Sequence, residues 1–276
     1  MVDEAATAPA ISLDPFEAGF ASNPYDQYRR LREAEPVLRT PFGPWLLTRW
    51  ADVHQLLRNP TTSVEDRNAT GAELARQEAF AAVRPDQEMR GSKAILNIDP
   101  PDHDRLRRLV SRAFTPRTIE RLRPRVQGLV DGLLDDVAEK AGGAGGPGGS
   151  AGAGEVDLIS TLAFPLPFAV ISEMLGMPEG NRDELREWSH TLTQVIDPIL
   201  AMLHMEDILE ASDRINEVVT DAIAWKRTRP DDDDLLNALI RADDDGDVLT
   251  DDELVDNVVL LYLAGHETTV NLIGNG

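Results

Sequence analysis

Cysteine is absent from the 276 residues of the chain. Its absence excludes disulfide bonds, zinc or iron–sulfur sites with thiolate ligands, and a cysteine nucleophile within these residues. Basic residues are also scarce, since 27 lysines and arginines stand against 49 aspartates and glutamates, for a formal net charge of −22. This negative charge repels phosphate backbones and anionic bilayers, so nucleic-acid binding and attachment to a membrane surface are not expected.

A hydrophobic run long enough to cross a membrane is missing as well. The apolar stretch 254–263 has about half the length that a bilayer span needs, and it includes Asp256 and Asn257. We therefore interpret it as a buried helix. Residues 1–10 are acidic and rich in Ala and Pro, without a basic region that leads into an apolar run. No signal peptide is expected from them, and the expected location is the cytoplasm.

The apolar residues that are present follow a mostly helical spacing. They make up 42% of the chain, which is enough for a substantial core. Tyr25, Tyr28 and Leu31 recur at helical intervals, whereas residues 37–48 read as two short strands around a Pro- and Gly-containing turn. The predicted fold class is mainly α with small β-hairpin elements.

Further helices are predicted along most of the chain, at about 50–58, 101–113, 116–140, 159–175, 180–195, 206–229 and 232–241. Residues 61–93 are polar and weakly patterned, which predicts a long loop with some helix. Residues 141–154 are nearly all Gly, Ala and Ser. That composition cannot pack a core, so a flexible surface insertion is expected there.

A capping box lies at the start of the most apolar helix of the chain. Thr250 supplies the cap and Glu253 stands three residues on. The helix is predicted over about residues 251–276. Its apolar side chains cover most of the circumference, which indicates a central helix surrounded by the rest of the core.

A polar run, 264–269, reads Ala-Gly-His-Glu-Thr-Thr and interrupts this buried helix. Buried polar groups cost about 1 to 3 kcal/mol each when they are unpaired, so some contact must compensate for them. The Thr268 hydroxyl can bond to the carbonyl of Ala264 and bend the helix. Gly265 lacks a side chain, which would let a flat ligand approach the backbone.

Two possible metal-site motifs in the sequence are incomplete. The pair His266-Glu267 could start a zinc-peptidase H-E-x-x-H motif, but the fourth residue on is Val270 rather than histidine. The acidic stretch 243–252 superficially resembles a calcium loop. In that alignment Arg241 would take the first ligand position, where an acid is required.

A second group of polar residues follows Asp-Pro-Pro at 99–101. His103 and Arg107 are four residues apart, so they face the same way on a helix. Both side chains can donate charge-assisted hydrogen bonds to carboxylates. The pair therefore indicates a site for an anionic ligand, although such pairs also occur on ordinary solvated helix faces.

Taken together, these segments resemble the cytochrome P-450 family of heme-thiolate monooxygenases, especially its bacterial members. The small-Gly-x-acid-Thr-Thr run at 264–269 is similar to the family's oxygen-activating helix. The D-P-P-x-H-x-x-x-R run at 99–107 is similar to the start of the helix that binds heme propionates. The resemblance extends in order from about Asp14 to Gly276, apart from the Gly-rich insertion. It implies a cytochrome P-450 fold and a heme b cofactor.

The resemblance also implies roles for six residues: Thr268 and Glu267 in oxygen activation, Ala264 and Gly265 in lining the distal pocket, and His103 and Arg107 in binding the heme propionates. An acid beside a hydroxyl suits oxygen activation, because cleavage of the oxygen–oxygen bond requires protons. The implied reaction is hydroxylation or epoxidation of an apolar small molecule, with O2 as the second substrate.

The family places an E-x-x-R pair and a cysteine-containing heme loop after the oxygen helix, and this chain ends before them. The sequence therefore predicts a single, C-terminally truncated domain over 1–276 that contains no thiolate ligand. Because thiolate donation promotes oxygen–oxygen cleavage, these residues alone are expected to be inactive.

Residues 105–125 form a basic segment in this acidic chain. It holds one acid, Glu120, and eight arginines: Arg105, Arg107, Arg108, Arg112, Arg117, Arg121, Arg123 and Arg125. A basic face on an acidic protein favours docking of an acidic partner. The family resemblance implies that this partner is a ferredoxin that delivers electrons. A solvated pair of helices with internal salt bridges would have the same composition.

Two other functions stay open at this point. The chain could be a catalytically dead, truncated relative that acts as a helical binding protein, and heme titration would separate that function from the enzyme. It could also be an unrelated helical enzyme that uses Glu267 as a general base, which would require activity without iron.

Overall fold

The computed structural model describes residues 11–20, 22–40, 44–71, 74, 78, 82, 92–142, 156–178 and 182–276. The chain divides into two units, Met1–Gly91 and Ser92–Gly276. The single incomplete domain that the sequence predicts stays a prediction. Most of the predicted Gly-rich insertion, 143–154, lies outside the described residues, while 141–142 belong to a helix.

The first unit contains the predicted hairpin between two helices. Its elements are helix α1 (Tyr25–Ala34), strands β1 (Val37–Arg39) and β2 (Trp45–Leu47), and helix α2 (Trp50–Leu57). The strands pair antiparallel, with Leu38 opposite Leu46. Leu31 and Leu38 are fully buried. The predicted helix and hairpin in this unit are confirmed.

The second unit is almost entirely helical. Its helices are α3 (Asp102–Ala113), α4 (Pro116–Gly142), α5 (Pro165–Leu175), α6 (Arg182–Thr193), α7 (Pro198–Leu203), α8 (Met205–Arg227), α9 (Leu235–Ile240) and α10 (Asp251–Asn275), with a π-helical turn at Ile159–Ala163 before α5. Strands β3 (Asp243–Asp244) and β4 (Asp247–Val248) form a second antiparallel hairpin. The predicted mainly α fold class is confirmed.

Several helix ends follow the capping chemistry of the sequence. The Thr118 amide donates to the Thr115 hydroxyl at 3.1 Å at the start of α4, as a threonine cap predicts. Helix α9 starts after Asp234, whose carboxylate accepts from the Asn237 amide at 2.9 Å. The start predicted at residue 232 was therefore slightly early.

Helix α10 lies at the centre of the second unit and packs against α5, α6 and α8. Its capping box is present, with the Thr250 amide donating to the Glu253 carboxylate at 2.9 Å. Leu254, Val258 and Tyr262 are almost completely buried along its length. The prediction of a central, surrounded helix is confirmed.

The β3–β4 hairpin was not predicted. Its turn contains Asp245 and Gly246, both with positive φ, 56° and 89°. The Asp-Gly pair is a known hairpin signal, but the strands have only two residues each, so no alternating apolar pattern accompanies it. Asp244 and Asp247 of the hairpin form ion pairs with arginines of α3.

Within the described ranges, no helix combines the length and the apolarity that a bilayer crossing requires.

Candidate functional site

The last turns of α10 divide the predicted polar run between two faces. His266 and Val270 are buried against the core, whereas Ala264, Thr268 and Leu272 are exposed and follow one another at intervals of four residues. We call these three residues the open strip. A helix that is buried through its first half thus exposes one side in its second half, and Thr268 lies at the centre of that side.

Thr268 is bound to its own helix. Its hydroxyl donates to the carbonyl of Ala264 at 2.7 Å, which confirms the bond expected from the sequence. With its proton held in this way, the Thr268 oxygen still has lone pairs that can accept a hydrogen bond.

Gly265 lies where α10 packs against α5. A Cβ added to it would lie 3.1 Å from Cδ1 of Ile171 on α5, so the missing side chain permits close packing of α10 on α5. Gly265 also lines an apolar cavity of about 260 Å³ between α4, α5 and α10, together with Val126, Val170 and Thr269. Its predicted role in lining the distal heme pocket stays a prediction.

Glu267 is directed toward α6. Its Oε2 atom is buried without a hydrogen-bond partner among the described residues and lies 3.8 Å from Nδ1 of His190. The side chain of Glu267 is 24% exposed and that of His190 is 59% exposed. The acid and the hydroxyl of the predicted catalytic pair therefore point in different directions around the helix, and sequence spacing gave no sign of the contact with His190.

His266 is fully buried between two aromatic rings. The Phe164 and Phe168 rings meet it edge-on, with centroids 4.7 and 5.5 Å away, and the Phe164 backbone also interacts with the imidazole. Burial lowers the pKa of His266, and the nearby charge of Glu267 opposes that effect in part. The ring is therefore neutral at pH 7.

The second predicted group lies on α3, which presents three faces. The core face consists of Leu106, Leu109, Val110 and Ala113. On one flank, His103 and Arg107 point the same way, as their spacing predicts. The His103 side chain is 28% exposed, with Nδ1 3.1 Å from Asp104. Arg107 is exposed and has no ion pair with any described residue.

The third face of α3 is bound to acids of the same chain. Arg105 pairs with Asp247 at 3.0 Å and with Glu253. Most of the predicted basic segment is paired in the same manner: Arg108 and Arg112 with Asp244, Arg121 with Asp233, Arg123 with Glu120, and Arg125 with Glu173. The positive charge of these arginines is thus largely compensated within the chain.

These contacts also connect α3, which carries His103 and Arg107, with α10, which carries the polar run 264–269. Arg105 stands between His103 and Arg107 on α3, and its partner Glu253 caps α10. Across the described ranges there is no cluster of three or more His, Cys, Asp or Glu side chains that could hold a metal ion.

Comparison with known proteins gives a consistent result. The family model described as cytochrome P-450 matches residues 45–275. Cytochrome P-450 107B1 of Saccharopolyspora erythraea is 44% identical over 264 residues, which cover 94% of this chain and 60% of that protein. The vitamin D(3) 25-hydroxylase of Pseudonocardia autotrophica is 40% identical, with 95% and 59% covered.

Solved structures show the same partial overlap. The cytochrome P-450 PksS of the Bacillus subtilis bacillaene polyketide synthase superposes with a TM-score of 0.72 at 31% identity, covering 94% of this chain and 60% of that one. The open form of EryK from S. erythraea gives a TM-score of 0.69 at 32% identity, with 93% and 58% covered. The chain therefore spans about 60% of the length of the relatives it matches.

Proposed function

The chain belongs to the cytochrome P-450 family, and from that premise we propose that it is part of a heme-dependent monooxygenase that hydroxylates or epoxidises an apolar small molecule. The observation that carries the proposal is the hydrogen bond that the Thr268 hydroxyl donates to the carbonyl of Ala264 at 2.7 Å. It lies on the central helix α10, in the turn whose residues are similar to the family's oxygen-activating motif.

The residues present fit part of a heme site. His103 and Arg107 offer donors on one flank of α3, and Arg107 makes no ion pair that a propionate would have to displace among the described residues. Ala264 and Thr268 offer a surface without bulky side chains. The chain contains no cysteine, so these residues would hold the propionates and the distal side and would not supply the thiolate. Heme, when bound, would supply the redox chemistry that activates dioxygen.

Proton delivery is the task proposed for Glu267 and Thr268. The Thr268 oxygen can accept a hydrogen bond on the open strip while its own proton stays on the Ala264 carbonyl. The Oε2 atom of Glu267 has no hydrogen-bond partner among the described residues and lies 3.8 Å from Nδ1 of His190, and carboxyl groups are common proton donors and acceptors in catalysis. Rotation of the Glu267 side chain toward the strip would bring the two groups together.

The proposed electron donor is a ferredoxin, which docks on the basic segment and places the reaction in the cytoplasm. Arg108, Arg112 and Arg121 pair with acids of the chain, yet their side chains are 60%, 55% and 49% exposed. Exposed ion pairs contribute only about 0 to 1 kcal/mol, so an acidic partner can compete for these arginines at little cost.

The proposed substrate class is an apolar small molecule. Relatives that the chain matches are named as a vitamin D(3) hydroxylase and an erythromycin C-12 hydroxylase, which supports hydroxylation of compounds of this kind.

The test is heme titration followed by a turnover assay on the product of the complete open reading frame. With a ferredoxin, its reductase and ¹⁸O2, the proposal predicts stoichiometric heme uptake and incorporation of one labelled oxygen atom into an apolar substrate. A protein that takes up no heme would contradict the proposal and favour the helical binding protein instead. Product without any need for iron would favour the general-base enzyme.

A further inference from the structure

Asn257 is a fully buried amide near the middle of the first half of α10, with 1% of its surface exposed. Its Oδ1 accepts from the Ile95 amide at 3.0 Å, and its Nδ2 donates to the carbonyls of Lys93 and Glu253 at 3.2 and 2.7 Å. The side chain thereby joins two segments that are more than 160 residues apart in sequence. An Asn in a helix interior has no intrinsic advantage there, so the contact with 93–95 explains its presence.

The neighbouring residue strengthens the same contact. Asp256 accepts from the Lys93 amide at 2.5 Å, so both backbone polar groups of Lys93 are bound to α10. The chain then continues through buried Ala94 and Ile98. Residues 93–98 are thus fixed on α10 by backbone hydrogen bonds to two side chains and by apolar burial.

This segment leads directly into the helix with the propionate donors. The Asp99 carbonyl accepts from the His103 amide at 3.0 Å, only a few residues after Ile95. Farther along α3, Arg105 pairs with Glu253, whose carbonyl is the third partner of Asn257. The segment before α3 is therefore bound to α10 at Asn257, and α3 itself is bound to α10 at Glu253, one helical turn away.

We propose that Asn257 is a positioning residue for heme binding, which acts by setting where His103 and Arg107 stand relative to α10. The inference rests on the proposed function, since it takes these two side chains as the propionate donors. Asn257 itself does not contact the heme. Its loss would release 93–98 and allow the start of α3 to shift, while Thr268 stays in place.

The experiment compares Asn257→Leu with Asn237→Leu in the full-length holoprotein. Asn237 is a matched control because it is also 1% exposed and donates to a backbone carbonyl, that of Arg229, at 3.1 Å. Amide hydrogen exchange at Lys93 and Ile95, the rate of heme transfer to apomyoglobin, and the resonance Raman bending mode of the propionates are measured well below the unfolding temperature.

For Asn257→Leu we expect faster hydrogen exchange at both amides and a shifted propionate bending mode. Heme release should be about fivefold faster or more, because the backbone groups that Asn257 binds would lose their partner. Asn237→Leu should lower the unfolding temperature and leave all three signals unchanged. The proposal is overturned if exchange increases while heme release and the propionate mode stay at wild-type values, or if both variants release heme equally fast. If the wild-type protein bound no heme, the proposed function itself would be wrong, and the positioning role of Asn257 would fail with it.

Discussion

The hydroxyl of Thr268 donates to the carbonyl of Ala264 at 2.7 Å, and both residues lie on the exposed side of a helix that is otherwise buried. This bond satisfies the hydroxyl proton locally and leaves the oxygen lone pairs available. If this geometry serves oxygen activation, removal of the hydroxyl should change catalysis far more than stability.

For Thr268→Val we expect product formed per NADPH consumed to fall about tenfold or more, because a proton-transfer group typically contributes a factor of 10² to 10⁴. The free energy of unfolding should change by no more than about 0.5 kcal/mol, as for other exposed positions. Thr220→Val is the control, since Thr220 is exposed on α8 and makes the same bond, to Asn216, at 2.7 Å. Equal coupling in the two variants would rule out the role of Thr268.

Substitutions at Arg105 and Arg107 should have different effects. Loss of Arg105 should lower the free energy of unfolding, whereas loss of Arg107 should weaken heme retention. Arg105→Met leaves Glu253, whose side chain is 11% exposed, without its partner, so we expect a loss of about 1 to 3 kcal/mol in the free energy of unfolding. Arg107→Met should leave stability nearly unchanged and accelerate heme loss. Denaturant titrations of the apoprotein and heme-transfer rates of the holoprotein measure the two effects, and the reverse assignment would contradict the proposed site.

His266 should make the fold sensitive to acid. Since burial lowers its pKa, the unfolded chain binds more protons in the interval between that lowered pKa and the ordinary value of about 6.5. The free energy of unfolding therefore falls as the pH drops below about 7, until the folded-state pKa is passed.

The variant His266→Leu removes both this proton linkage and the polar nitrogens of a fully buried ring. We expect the variant to be more stable than the wild type at pH 5, by about 1 kcal/mol or more, and its stability to depend less on pH. An unchanged pH dependence in His266→Leu would show that this ring does not titrate with folding.

Gly176 should be intolerant of any side chain. It ends α5 with φ of 63°, and an added Cβ would lie 2.6 Å from Nζ of Lys226 and 2.7 Å from Oδ2 of Asp234. Lys226 is itself 3% exposed, so it has little room to move. Gly176→Ala should cost more than the roughly 1 kcal/mol that positive φ alone imposes.

A glycine with nearly the same φ provides the control. Gly71 has φ of 59°, and no heavy atom of the described residues lies within 4 Å of an added Cβ, so Gly71→Ala should show the backbone cost alone. Denaturant unfolding of both variants would measure the difference, and equal losses would mean that the contact with Lys226 and Asp234 does not matter.

Local patterns in the sequence were sufficient to predict most of the helices. The capping box at Thr250 and Glu253 and the apolar residues that follow predict α10, because caps and periodicity depend on residues within a few positions. The bond between Thr268 and Ala264 was predictable for the same reason. Helix α7 and the β3–β4 hairpin are too short for their periodicity to be read.

Contacts between distant segments could not be read in this way. The pairing of Arg105 with Glu253 and the binding of Ile95 by Asn257 join positions about 150 residues apart or more. The basic segment looked like a continuous docking face because most of its acidic partners lie on β3, β4, α5, α10 and in the loop before α9. The direction of Glu267 toward His190 likewise depends on how α6 packs on α10.

The central claim is that this chain forms the propionate-binding and distal parts of a heme-thiolate site. The most direct measurement is the reduced carbon monoxide difference spectrum of the complete reading-frame product, for the wild type and for a His103→Ala/Arg107→Ala double variant. We expect the band of thiolate-ligated heme in the wild type, and weaker heme retention with the same ligation in the double variant. Absence of the band in the wild type, or equal heme retention in the two proteins, would contradict it.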